Sequence, residues 1–268
     1  MGSALEGFYI NLDDAHLRRQ RIEGMLRSAK VDGLFKRFPA LRPDNSEGQL
    51  TRGAVGCLDS HVGVLRSRNV NDFTIVLEDD AVVSPHFKSD LLSTLKVAGF
   101  DWHMLFLVHT EPINDVERVK TLIASCQSQD LFSQNRPITI EAKNWYRYGT
   151  VGYIVSPSMP AYIVDEVERL ASTRQLPIDG IYQQLIATGF IKAKIAFPYI
   201  VGVGMEHASQ IGRGGNVRDE LHAVLINLFY RHRSVADISS WLAEESAPED
   251  DLEAKVASKV YFNYIKYC

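Results

Sequence analysis

Short apolar runs alternate with segments of helical spacing along the first two thirds of the chain. Residues 73–77 form a continuous apolar run, and residues 5–12 have the composition of a second buried strand. Continuous runs of this length are typical of strands buried on both faces of a mostly parallel sheet. The segments between the runs repeat apolar positions every three or four residues, which predicts amphipathic helices. The alternation therefore predicts an α/β sheet with helices on both faces.

The same criteria place the remaining elements. Further strands are predicted at residues 34–38, 102–108, 149–156 and 191–199. Helices are predicted at residues 13–30, 54–69, 87–97, 157–172 and 178–189. Asp13 or Asp14 is expected to cap the first helix, because a carboxylate at that position accepts hydrogen bonds from free backbone N–H groups. Residues 110–136 are polar and suit a helix followed by a loop.

The pattern changes near residue 216. A glycine-rich loop at residues 201–215 closes the α/β part, and three helix-like segments follow it. We therefore expect an α/β domain at residues 1–215 and a helical C-terminal extension at residues 216–268. The aromatic side chains of this extension suit packing on the first domain, and a homodimer contact and a peripheral membrane contact are the alternatives.

The composition is typical of a soluble globular protein and disfavours several other classes. The 268 residues are 46% hydrophobic and 23% charged, with a net charge of −4 and a pI near 6.1, so the bulk charge gives no indication of nucleic-acid binding. Cys57, Cys126 and Cys268 form no CxxC pair or zinc spacing, which favours a reducing compartment. The N-terminal residues do not resemble a signal peptide, and no apolar run has the length of a bilayer span. The expected location is the cytoplasm, with peripheral attachment at the inner face of the membrane as an option.

Three consecutive acids, Glu78, Asp79 and Asp80, follow the apolar strand at residues 73–77. Ligands of open α/β sheets bind at the carboxyl ends of the strands, and crowded carboxylates there call for a compensating cation. Mg²⁺ or Mn²⁺ bound by these oxygens would bridge the diphosphate of a nucleotide sugar, while another carboxylate holds the ribose. A solvated turn after a core strand is the alternative.

Four stretches in this order resemble glycosyltransferase family 25, which includes bacterial lipooligosaccharide galactosyltransferases and collagen galactosyltransferases. They are "FYINLDDAHLRRQRIEGML", "GAVGCLDSHVGVLR", "IVLEDDAVV" and "GTVGYIVS", and a later "PID" at residues 177–179 also fits. The resemblance covers roughly residues 7–211. The matching positions are Asn11, Leu12, Arg18, Arg19, Gly56, Cys57, Ser60, His61, Glu78, Asp79, Asp80, Gly149, Gly152, Tyr153 and Asp179.

The resemblance implies a GT-A-type fold, a nucleotide-sugar donor that is often UDP-galactose, a divalent metal and inversion at the anomeric carbon. The implied acceptor is a glycan or glycolipid such as lipooligosaccharide or a capsule saccharide. An inverting transfer needs a general base for the acceptor hydroxyl, and Asp179 is the first candidate. Asp80 is the expected metal ligand, with Glu78 and His207 as further ligands, and Glu78 or Asp79 is expected to meet the ribose.

Several other positions have two interpretations. His61 suits either a buried structural histidine or the donor pocket, where Ser60 would accompany it. Arg18 and Arg19 suit either a solvated helix face or a diphosphate clamp. Tyr9, Asn11 and Leu12 lie at the end of the first strand, where contact with the uracil or ribose competes with packing in the sheet. His207 suits either an exposed loop or a metal site completed with Asp80.

The leading hypothesis is a metal-dependent inverting glycosyltransferase of lipopolysaccharide-type biosynthesis. A non-catalytic relative that binds a sugar nucleotide or a partner protein is the second hypothesis. A metal-dependent phosphodiesterase is the third, and it is disfavoured because the sequence offers no second set of His and Asp ligands for a paired-metal site.

Overall fold

A computed structural model of the chain describes residues 4–46, 48–110, 121, 124, 137–204, 223–224, 226–227 and 229–232. The strands are β1 Leu5–Asn11, β2 Phe35–Pro39, β3 Phe73–Glu78, β4 Ala81–Val82, β5 Met104–Phe106, β6 Ile138–Glu141, β7 Gly152–Val155, β8 Ala193–Phe197 and β9 Gly202–Val203. The helices are α1 His16–Ser28, α2 Arg52–Ser67, α3 Phe87–Ala98, α4 Ala142–Trp145, α5 Ala161–Ser172 and α6 Ile178–Ala187, and a short 3₁₀ turn spans Asp32–Leu34.

The predicted α/β class is confirmed, with a seven-stranded sheet flanked by helices as in a GT-A-like domain. The strand order is β2-β1-β3-β7-β5-β8-β6. Strands β2, β1 and β3 are parallel, and so are β5 and β8. The expectation of a mostly parallel sheet is wrong, however, because β7 runs antiparallel to β3 and β5, and β6 runs antiparallel to β8.

The predicted cap of the first helix is also wrong. Helix α1 begins at His16 after Ala15, and no side chain caps it. The two acids before the helix form ion pairs instead, Asp13 with Arg37 and Asp14 with Arg42. These pairs join the end of β1 to the end of β2 and to the loop that follows it.

The core lies along both halves of the sheet. Strands β3, β5 and β7 are almost entirely buried, and large aromatic side chains such as Tyr153 and Tyr182 fill the space beside β7. Helix α2 packs against β1, β2, α5 and α6, so its N-terminal turn lies near the carboxyl ends of the parallel strands. The N-terminal turn of α2 and the ends of these strands therefore lie at the same edge of the sheet.

The described residues beyond position 216 pack against the α/β sheet. Tyr230 pairs with Tyr199 just after β8, and Phe229 is buried beside it. The Asn227 side chain donates to the carbonyl of Val203 and accepts from its N–H. The described residues of the predicted extension, between positions 223 and 232, thus pack on the domain, while residues 216–222 and 233–268 and most of the predicted loop at 110–136 lie outside the described part of the chain. Within the described residues, no helix is both long enough and apolar enough to span a bilayer.

Candidate active site

A cavity of about 590 Å³ opens where the parallel strands β2, β1 and β3 end. The end of β1, the segment after β2, the acids after β3 and the N-terminal half of α2 form its wall. The lining residues are Ile10, Asn11, Leu12, Arg18, Ala40, Leu41, Arg42, Thr51, Arg52, Gly53, Gly56, Cys57, Ser60, His61, Glu78, Asp79 and Asp80. The cavity has the volume of a small-molecule site and the position expected for a ligand of an α/β sheet.

The three acids after β3 lie in this wall, not on a solvated surface turn. The strand geometry ends at Glu78, and Asp79 and Asp80 form a tight turn before β4. Asp79 is buried, whereas Glu78 and Asp80 are half-buried and line the cavity. The concentration of carboxylates seen in the sequence therefore faces a space large enough for a ligand.

Asp79 is committed to protein partners through both of its oxygens. Its Oδ1 accepts from Arg18 Nη1 at 2.8 Å, and its Oδ2 accepts from the amide nitrogen of Asn11 at 2.7 Å. All three side chains are nearly inaccessible to solvent. The carboxylate thus ties α1 to the end of β1 and fixes the Arg18 guanidinium in the cavity wall.

Asn11 is held from a second side as well. Arg37 donates through Nε to the side-chain oxygen of Asn11 and through Nη2 to its backbone carbonyl. The amide nitrogen of Asn11 also donates to the carbonyl of Ala15 at 3.2 Å. Each polar atom of the Asn11 side chain is therefore already paired, and the residue braces the cavity wall.

Asp80 differs from its neighbour because it lacks such partners. Its Oδ1 is buried, and no donor in the described part of the chain reaches it. Burial, followed by the charge of Glu78, raises the pKa of Asp80 from about 4 to about 7, and the Arg18 charge opposes this shift only in part. A buried carboxylate oxygen without a donor at the edge of a cavity is suited to a hard cation.

Glu78 belongs to a chain of buried polar contacts. Thr150 donates through its hydroxyl to Glu78 Oε1 at 2.6 Å, and His61 Nε2 lies 3.3 Å from the same oxygen. Burial alone would raise the pKa of Glu78, but the contacts with His61 and Thr150 and the charge of Arg18 outweigh it and lower the pKa. The Nδ1 of His61 lies 2.9 Å from the hydroxyl of Tyr153.

Asp179 lies in the first turn of α6 and does not line the cavity. Its two oxygens accept from the backbone N–H groups of Gly180 at 2.8 Å and of Gly149 at 3.3 Å. Burial raises its pKa, and those two N–H groups and the charge of Glu78 act in opposite directions on it. Asp179 is linked to Glu78 through the adjoining residues Gly149 and Thr150.

Ser60 shapes the cavity from within α2. Its hydroxyl donates to the carbonyl of Gly56 at 2.6 Å and accepts from the backbone N–H of Leu41 at 2.8 Å. A Cβ on Gly56 would lie 2.3 Å from the Leu41 carbonyl oxygen, so the segment after β2 approaches the helix as closely as a glycine allows. Ser60 and Gly56 together fix the cavity wall formed by residues 40–42.

The structure brings most of the sequence-predicted residues into this cavity, with three exceptions besides Asp179. The hydroxyl of Tyr9 donates to Glu23, and Arg19 also pairs with Glu23, so both lie outside the cavity lining. His207, the third expected metal ligand, lies outside the described residues.

Several residues of the site were given no role by the sequence analysis. Arg42 and Arg52 contribute two further cationic side chains to the wall, and Thr51 caps α2 by accepting from the N–H of Ala54. Thr150 and Tyr153 reach Glu78 and His61 from β7 and the residues before it, more than 70 positions away in sequence. The sequence signals for this group are the Thr-Arg-Gly start of α2, which is typical of a helix N-terminus, and the "GTVGYIVS" stretch, which contains Thr150 and Tyr153.

Comparisons with known proteins agree with this geometry. The family model described as "Glycosyltransferase family 25 (LPS biosynthesis protein)" matches residues 4–182, about two thirds of the chain. Procollagen galactosyltransferase 2 of Homo sapiens is 26% identical over 125 residues, which cover 44% of this chain and 18% of that protein. The chain thus aligns with less than a fifth of this relative's length. The family match includes every cavity residue and Asp179.

Proposed function

The chain belongs to glycosyltransferase family 25, and from that premise we propose that it transfers galactose from UDP-galactose to a saccharide acceptor, with inversion at the anomeric carbon. The proposed acceptor is a lipooligosaccharide or capsule-type glycan. The description of the family includes LPS biosynthesis, and the human relative is named as a galactosyltransferase. A nucleotide-sugar donor follows from membership of the family, whereas galactose, the acceptor and inversion belong to the proposal.

A divalent metal is part of the proposal, and the residues present fit Mn²⁺ or Mg²⁺. Asp80 supplies a buried oxygen without a donor in the described part of the chain, and Glu78 supplies a second carboxylate two residues away. His207 is retained as a proposed third ligand. A bound dication would stabilise the negative charge of the departing nucleoside diphosphate.

We assign Asp79 to supporting the site instead of contacting the ribose, because both of its oxygens already accept hydrogen bonds from Asn11 and Arg18. The ribose is then left to Glu78 and to the backbone near Leu12. Arg18 keeps the proposed role of a diphosphate contact, joined by Arg42 and Arg52 in the same wall. Tyr9 and Arg19 are not retained as donor contacts, since their side chains meet Glu23.

Asp179 is the proposed general base. A base that removes the proton of an acceptor hydroxyl works best when its pKa approaches the working pH. Burial raises the pKa of Asp179, and the backbone N–H groups of Gly149 and Gly180 hold its carboxylate in one orientation. An acceptor that approaches from the side of Thr150 would meet this carboxylate.

The main support for the proposed transferase activity is that Asp80 and Arg18 line one cavity at the ends of parallel strands. The test is release of UDP from UDP-galactose in the presence of Mn²⁺ and a saccharide acceptor. We expect the wild-type chain to release UDP, and we expect Asp80→Asn to lose this activity. Asp101→Asn is the control, because Asp101 is an exposed acid paired with Lys192 far from the cavity. Calorimetric binding of UDP-galactose without release, across several acceptors, would instead favour a non-catalytic sugar-nucleotide binder.

A further inference from the structure

Cys57, His61 and Glu78 meet at the inner wall of the cavity. Cys57 and His61 are four residues apart on α2 and therefore project from the same side of that helix. Glu78 reaches them from the end of β3. One potential ligand atom from each residue lies within 4.8 Å of the other two, so small side-chain movements bring all three onto one ion.

His61 provides the observation that points to a ligand. The side chain is fully buried, and its Nε2 has no hydrogen-bond partner in the described part of the chain. Nε2 lies 3.3 Å from Glu78 Oε1, an ion-pair contact that lowers the pKa of Glu78 but leaves Nε2 without a well-formed hydrogen bond. Buried ring nitrogens are rarely left without a partner, so this nitrogen indicates a missing group.

Tyr153 selects the tautomer that a metal requires. Its hydroxyl lies 2.9 Å from His61 Nδ1 and can accept the proton of that nitrogen. In the metal-free protein a proton on Nε2 faces Glu78 and lowers its pKa; with the proton on Nδ1 instead, the Nε2 lone pair takes that place and can bind an ion. Histidines that bind metals commonly donate their other ring N–H to a neighbouring group, which fixes the ring and increases the basicity of the ligating nitrogen.

We propose that Cys57, His61 and Glu78 form a binding site for a thiophilic dication, for which Zn²⁺ is the best fit. A thiolate, an imidazole and a carboxylate are the ligand types of zinc, whereas the carboxylates of Asp80 and Glu78 suit Mn²⁺ or Mg²⁺. Zinc takes four ligands, and all three side chains line the cavity, so solvent in the cavity supplies the fourth.

The carboxylates near Cys57 favour binding of a dication. Burial, followed by the charges of Glu78, Asp179 and Asp80, raises the pKa of the Cys57 thiol well above its ordinary value. Without a metal the thiol therefore stays mostly protonated and is alkylated slowly. The same carboxylates attract a dication, and when zinc binds, the sulfur exchanges its proton for the ion and the proton leaves to solvent.

Occupation of this site has a consequence that rests on the proposed function. Glu78 is also assigned to the donor site, so a zinc ion that takes this carboxylate withdraws it from donor binding. We expect Zn²⁺ to inhibit transfer in the presence of saturating Mn²⁺. Zinc binding itself is measured without any substrate, so absence of transferase activity would leave the zinc site testable.

The experiment uses the full chain with Cys126 and Cys268 replaced by serine, which leaves Cys57 as the one thiol. Co²⁺ then serves as a spectroscopic probe. We expect a near-ultraviolet absorption from thiolate-to-cobalt charge transfer, which reports only the ion bound to Cys57, to correspond to one such ion per chain and to be lost on displacement by Zn²⁺. Adding Cys57→Ser should abolish the absorption, and Tyr153→Phe should weaken zinc binding about 10- to 100-fold through the loss of its contact with His61.

Two further measurements keep the test decisive. Asp80→Asn should leave the cobalt absorption intact while removing the Mn²⁺ response, which separates this site from the donor site. In the unmodified chain, Zn²⁺ should slow alkylation of Cys57, followed by peptide mapping. The proposal is overturned if the folded single-thiol protein shows no charge-transfer absorption, or if zinc leaves the alkylation rate of Cys57 unchanged.

Discussion

Arg18 donates to Asp79 across a distance of 2.8 Å, and this buried pair joins α1 to the turn that carries the three acids. Removing one partner of a buried ion pair leaves the other charge without compensation, at a cost of about 3–5 kcal/mol. We therefore expect Arg18→Ala to lower the free energy of unfolding by roughly that amount, measured by urea denaturation.

The double variant Arg18→Ala/Asp79→Ala tests whether the pair is the cause. Because both charges are then absent, its loss of stability should be smaller than the sum of the two single losses. Arg169→Ala is a matched control, since Arg169 forms an exposed pair with Glu166 on α5 and its loss should leave the free energy of unfolding nearly unchanged. Strictly additive losses at Arg18 and Asp79 would contradict the coupling.

Asp80 is expected to lower the stability of the metal-free protein because its carboxylate is placed to bind a metal ion. Its raised pKa means that the folded, metal-free protein holds an ionised carboxylate at pH 8 without adequate compensation. Asp80→Asn removes that charge with little change of shape. We therefore expect the metal-free variant to melt about 3–6 °C higher than the wild type at pH 8. Mn²⁺ should raise the melting temperature of the wild type and leave that of the variant unchanged.

The pH dependence of that difference follows from the sign of the shift. The Asp80 carboxyl ionises near pH 4 in the unfolded chain and near pH 7 in the folded one. A raised folded-state pKa contributes stability at low pH that is lost as the pH rises from about 4 to about 7. The gap between Asp80→Asn and wild type should thus widen steadily from pH 5 and be largest at pH 8. A gap independent of pH, measured by thermal unfolding without metal, would rule out titration of Asp80 as its source.

The position of the site followed from the sequence because it depends on a general rule. Strands that run parallel bring their carboxyl ends to one edge, so Asn11 and Glu78 were expected together, and they line one cavity. The direction of β7 was not available in the same way. A strand buried on both faces has the same apolar pattern whether it runs parallel or antiparallel.

The roles of individual polar residues depended on contacts that local spacing does not encode. Arg18 and Arg19 are adjacent on α1 and therefore point about 100° apart, and only the rotation of the packed helix decides that Arg18 enters the cavity. His61 meets Tyr153, which is 92 residues away. The sequence also gave no sign that Asp79 would be occupied by Asn11 and Arg18.

Gly56 is expected to be sensitive to the smallest substitution. An added Cβ would lie 2.3 Å from the Leu41 carbonyl oxygen and 3.2 Å from Pro43, so Gly56→Ala must displace the segment after β2 that lines the cavity. We expect a loss of about 1–3 kcal/mol in stability and weaker binding of UDP-galactose by calorimetry. Gly24→Ala is the control, because its Cβ would meet only the end of a flexible Arg27 side chain and alanine favours the α1 helix.

Asn227 is expected to hold the start of the C-terminal segment on the domain. Its side chain makes two hydrogen bonds to the backbone of Val203 in β9, and a Cβ on neighbouring Gly202 would lie 2.7 Å from its oxygen. Asn227→Ala leaves the N–H and the carbonyl of Val203 without these partners, at a cost of about 1–3 kcal/mol.

Strand β9 pairs with β4, which directly follows Asp80, and Gly204 donates to the Asp80 carbonyl. The variant should therefore also weaken the Mn²⁺-dependent rise in melting temperature, and hydrogen exchange should speed up in β4 and β9 while β6 remains protected. Unchanged exchange in β4 and β9, together with wild-type melting, would mean that this contact does not anchor the segment.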